Sequence, residues 1–158
     1  MHRKEIDVSD SLNSSPGNER DRWRQIVLIS GTILAISYPL LALSTGVRAL
    51  YQLFSIGGLG PALSGVAALC YLTAAIGFAK RAAWAWRLSL LVLGFETAMT
   101  LLIGSLSFVY PELIGRTVWR HFGADYGYFP LFQPIIGLIW LVWPETRRAY
   151  GLLRQATQ

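Results

Sequence analysis

One cysteine and two histidines are all that this 158-residue chain offers for metal binding or covalent cross-linking. A lone Cys70 excludes an internal disulfide framework, a Cys-x-x-Cys redox pair and a cysteine-built zinc site. Charge is scarce too. Asp, Glu, Lys and Arg make up 15% of the residues, against about 25% in soluble globular domains. The chain also lacks a glycine-rich phosphate loop, a Gly-x-Ser-x-Gly elbow and a His-Glu-x-x-His helix. The expectation is therefore no catalytic residue, no cofactor, no metal and no enzymatic activity.

What the sequence has in quantity is apolar surface, at 53% of residues, with 13% aromatic. Four apolar runs stand out, at 26–45, 61–79, 86–109 and 126–143. At 1.5 Å per helical residue they extend roughly 27–36 Å, and a bilayer core is about 30 Å thick. The fold class predicted is all-α, a polytopic membrane protein with a four-transmembrane-helix bundle. The last run is marginal in length. It also carries Pro130 and Pro134, which remove backbone donors that neighbouring helices must replace. Residues 1–22 are polar, aperiodic and broken by Pro16-Gly17, and read as a disordered cytoplasmic tail. Residues 23–150 form the transmembrane domain, and 151–158 a short basic tail. Ala42-Leu43-Ser44 offers small residues of the kind signal peptidase takes. The long apolar run and long acidic leader instead predict an uncleaved first helix.

Orientation follows from the basic residues. Of 14 Lys and Arg, only Arg48, Arg116 and Arg120 fall between the first and second or the third and fourth runs. The rest gather on the opposite side, so both termini are expected in the cytoplasm of a bacterial cell, with the chain in its cytoplasmic membrane. Trp23, Trp84, Trp86 and Trp143 mark the inner boundary, and Tyr51, Tyr110, Tyr126 and Tyr128 the outer one. The net charge of +5 is then matched to anionic lipid rather than to nucleic acid. In the loop at 110–125, Leu113, Ile114, Val118 and Phe122 oppose Glu112, Arg116 and Arg120. This pattern predicts a short amphipathic outer-loop helix or a folded cap over the bundle.

Helix association in lipid relies on small residues that let backbones approach. Gly31 and Ala35 in the first run, Ala68 and Ala75 in the second, and Thr100 and Gly104 in the third recur at helical spacing and form the predicted packing face. Glu96 is the exception, the one ionisable side chain well inside any run. It lies roughly 15 Å from the inner boundary, where a carboxylate costs at least about 2.5–3.5 kcal/mol. Tyr38, Tyr71 and Gln133 fall at similar depth, so a midplane polar cluster of Glu96, Tyr38, Tyr71 and Gln133 is predicted. It serves either as a structural hydrogen-bond layer or as a proton or cation site. His121 and Asp125 stand four apart but lack a third ligand, and read as a polar rim rather than a metal site. Cys70 reads as a small packing residue.

The stretches Ser44-Thr45-Gly46-Val47-Arg48-Ala49-Leu50-Tyr51 and Val118-Trp119-Arg120-His121-Phe122-Gly123, continuing through Phe129-Pro130-Leu131-Phe132-Gln133-Pro134, resemble uncharacterised small four-helix integral membrane proteins of actinobacteria. That resemblance implies a cytoplasmic-membrane location and carries no activity or ligand set. Small multidrug exporters likewise combine four helices with one membrane carboxylate, but theirs lies in the first helix and Glu96 lies in the third. The function expected from the residues is a non-catalytic accessory or stabilising subunit, with the lipid bilayer and a larger membrane complex or homo-oligomer as partners. The alternative is a dimeric proton-coupled or cationic-solute transporter built on Glu96.

Overall fold

The computed structural model of the protein describes residues 16–153, and all its regular elements are helical. They are α1 (Pro16–Ser55), α2 (Leu59–Ala79), α3 (Ala83–Val109), α4 (Pro111–Ile114), α5 (Phe129–Val142) and α6 (Pro144–Ala149), with a 3-10 segment at Arg120–Tyr126. Three helices are long and apolar enough to cross a membrane: Asp21–Ser55 within α1, then α2 and α3. The fourth apolar run behaves differently. Only its Phe129–Val142 portion, 14 residues, is helical, about 21 Å at 1.5 Å per residue.

α1 departs most from expectation. It starts at Pro16, inside the stretch read as a tail, because proline is well tolerated in the first turn of a helix. It then runs through Pro39 and past Thr45 to Ser55, ending just before Gly57 and Gly58. Those two glycines adopt φ of 69° and 97°, a turn that side-chain-bearing residues resist. The rest of the expected tail, residues 1–15, lies outside the described residues, as do 154–158.

Hydrogen bonds show which helix ends meet. Trp140 Nε1 on α5 donates to the Val27 carbonyl on α1 at 3.0 Å. Trp86 Nε1 on α3 donates to the Leu141 carbonyl at 2.8 Å. The Tyr150 hydroxyl, just past α6, donates to the Gly77 carbonyl on α2 at 3.1 Å. Burial of that phenol pushes its pKa up to about 12, with the Arg81 charge opposing. The start of α1, the end of α2, the start of α3 and the end of α5 therefore share one end of the molecule, and Trp23 meets Trp143 there at 5.9 Å.

At the opposite end the loop at 110–128 makes no continuous amphipathic helix. α4 is a single turn, and His121, Phe122 and Gly123 take left-handed backbone with φ of 48°, 61° and 81°. Leu113 is exposed, whereas Ile114, Val118 and Trp119 are buried, so the four apolar residues do not line one face. Two serines of α2 and α3 clamp this cap. Ser64 Oγ accepts from the Val118 N–H at 3.1 Å, and Ser107 Oγ accepts from the His121 N–H at 2.9 Å. The left-handed residues cost about 1–2 kcal/mol each where a Cβ is present, so this anchoring, with the Phe122 ring against Gly104, is what retains them.

Candidate functional site

Glu96 stands at the middle of α3, on the side turned to α2 and α5, and is fully buried. The Tyr71 hydroxyl of α2 faces its carboxyl. Tyr38 of α1 reaches the same region, its ring centroid 6.0 Å from that of Tyr71. Gly137 of α5 lies beside it in ordinary contact and makes room for Leu93, whose side chain would stand 2.8 Å from a methyl there. Gln133 of α5 is buried in the adjoining layer, and its amide donates to Ser37 Oγ on α1 at 3.0 Å rather than closing onto Glu96. α1, α2 and α3 thus bring Tyr38, Tyr71 and Glu96 together, while Gln133 of α5 pairs with Ser37 in the next layer.

The bonding of this layer is incomplete. Neither carboxylate oxygen of Glu96, neither tyrosine hydroxyl, nor Gln133 Oε1 completes a hydrogen bond of good geometry. Buried polar groups are normally paired, and an unpaired one costs about 1–3 kcal/mol, more for a charge. Two hydroxyl groups beside a carboxyl make an oxygen-rich site. Such a site suits a protonated carboxyl or a hard cation.

Thr100, one turn beyond Glu96, was expected only to pack. Its hydroxyl lies 2.8 Å from the Glu96 carbonyl and 3.1 Å from the Pro130 carbonyl on α5. The second contact has a clear cause. Pro134 lacks the N–H that would otherwise bond the carbonyl four residues back, which is that of Pro130. Thr100 supplies the missing donor across the helix interface and so ties α5 to α3 beside the carboxylate. Thr100→Val keeps the shape but orphans this carbonyl, and is expected to cost about 1–2 kcal/mol. Thr100→Ser should restore most of it, read as melting temperature in detergent.

The other residues of the predicted packing face take varied roles. Ala68 faces Gly46 on α1, which the sequence reading had not singled out. Ala75 is buried in the core and Ala35 packs partly against it. Gly31 and Gly104 receive aromatic rings instead of helix backbones, Trp140 and Phe122 respectively. Cys70 is half-buried on α2 beside Tyr71.

Comparison with protein-family models, curated proteins and solved structures finds no match. The chain's own chemistry carries the functional argument. Among the described residues no group of three metal-ligating side chains occurs, and His121 stacks on Phe108 at 4.5 Å.

Proposed function

We propose that the protein is a four-span integral membrane protein of a bacterial cytoplasmic membrane, with both termini cytoplasmic, acting without catalysis as a subunit of a larger membrane assembly. α5 is the fourth crossing, short because its entry is made by the left-handed cap, and the 40-residue α1, about 60 Å long, extends beyond the hydrocarbon core. The observation that carries the subunit reading is the outer tip of α1. Arg48 is held at the rim by its hydrogen bond to the Tyr126 hydroxyl at 2.8 Å and by stacking on that ring. Beyond this charge, Tyr51, Phe54 and Ile56 are 72%, 87% and 79% exposed. Apolar side chains left uncovered past a polar rim mark a protein contact.

Purification of a tagged chain in mild detergent is expected to recover a stoichiometric partner, and Phe54→Ser with Ile56→Ser to release it while the chain stays folded. A partner-free chain, or a partner indifferent to both substitutions, overturns the reading.

The unpaired oxygens of Glu96 favour a second reading, a proton or cation carrier. Its test is uptake by reconstituted vesicles: Glu96→Gln should abolish transport without altering insertion. Normal transport by that variant removes the carrier reading.

A further inference from the structure

A cleft of about 510 Å³ runs between α1 and α5, lined chiefly by Ile26, Ile33, Phe132, Ile136, Ile139 and Trp140. Its sides open between exposed apolar residues, so it faces hydrocarbon rather than water. The Trp23–Trp143 pair flanks one end. Its floor holds the Ser37–Gln133 hydrogen bond, and Gln133 is buried there with its Oε1 unpaired.

The dimensions decide what fits. Spread over the roughly 21 Å length of α5, the volume open to the centre of a water-sized sphere has a cross-section of roughly 24 Å², which leaves a channel roughly 8 Å wide between its walls. A helix with its side chains is about 10–12 Å across and cannot enter. A single extended acyl chain of an ordinary membrane phospholipid does.

Charge decides the headgroup. Trp23 is flanked in sequence by the exposed Arg22 and Arg24, and Arg147 lies over the Trp86 ring at 6.0 Å at the same end of the molecule. Lys80, Arg81 and Arg87 are carried by the turn and helix start there too, so cations outnumber Glu19, Asp21 and Glu145. The single ion pair among the described residues, Arg148–Glu145, uses one of them. Cations at this level attract anionic headgroups by about 1 kcal/mol each.

We infer that the α1–α5 cleft is a binding site for one anionic phospholipid, an acyl chain lying along α5 and the phosphate at the Trp23–Trp143 end beside Arg22 and Arg24. The chain fills the space that the sparse α1–α5 contact leaves open. It thereby completes the packing around Gln133, one layer from Glu96.

The test is native mass spectrometry of the detergent-purified chain exchanged against phosphatidylglycerol and phosphatidylcholine. One phosphatidylglycerol per chain is expected to survive, retained at least tenfold better than phosphatidylcholine. Ser30→Trp, which fills the cleft, should remove it. Leu91→Trp, on an exposed face of α3, should not. Arg22→Gln with Arg24→Gln should erase the headgroup preference and keep the chain-dependent binding. In the unmodified protein, brominated-chain phosphatidylglycerol should quench tryptophan fluorescence saturably at low mole fraction, which decides the matter if Ser30→Trp fails to fold. Equal lipid retention by a folded Ser30→Trp variant, absence of saturable quenching, or a cross-link from Ile33 to another polypeptide each overturns the assignment.

Discussion

Glu96→Lys is expected to eliminate the folded, membrane-inserted chain, whereas Glu96→Gln is expected to leave its melting temperature nearly unchanged. Position 96 has no exposed surface and sits at the centre of a 27-residue helix. An ammonium group there cannot reach either headgroup layer, because its stem spans a small fraction of the roughly 15 Å to the nearer one. It would face tyrosine hydroxyls, with no carboxylate beside it. Insertion scales put a central lysine at about 2.5–3.5 kcal/mol before packing losses are counted. Glutamine keeps volume and shape, carries no charge and retains an oxygen acceptor, so it replaces the carboxyl almost isosterically. Membrane-fraction yield and thermal unfolding in detergent separate the two. A well-inserted Glu96→Lys variant with native melting would mean that the side chain reaches water or lipid after all.

Trp119→Ala is the second large effect, expected to destabilise the outer cap by about 3–5 kcal/mol. Trp119 is the largest fully buried side chain among the described residues and belongs to the same buried cluster as Ile114 and Val118. Its Nε1 makes no hydrogen bond, so the loss is one of packing, and Trp119→Phe should recover part of it. The cap holds strained backbone at His121 and Phe122 through two serine contacts. Emptying the space beneath them lets the turn relax and release Ser64 and Ser107. Trypsin should then cut after Arg116, on the exposed side of the cap, far faster than in the parent chain. Unchanged cleavage would show that the cap stands without its tryptophan.

Apolar run length and the lack of catalytic motifs were enough to specify a helical, membrane-type chain, because hydrocarbon admits long apolar helices and penalises free backbone donors. Glu96 was visible for the same reason, a single carboxyl within an apolar run. Tyr38, Tyr71 and Gln133 were expected at similar depth because rise per residue is fixed; Tyr38 and Tyr71 lie near the carboxyl, whereas Gln133 bonds to Ser37. Depth says nothing of rotation about the helix axis, so the bond from Gln133 to Ser37, and the unpaired state of the carboxyl, came only from packing. Gly31 and Gly104 read as helix contacts, yet they seat rings from segments 109 and 18 residues away.

Sequence by itself determined the helices, their apolar character and the polar level at Glu96, all properties of local spacing and transfer energy. Tertiary structure alone decided the left-handed cap, the donor that Thr100 lends to the proline-freed carbonyl, and the narrow cleft beside α5. Those depend on which side chains from distant segments compete for the same space, and pairwise geometry of that kind has no signature in linear order.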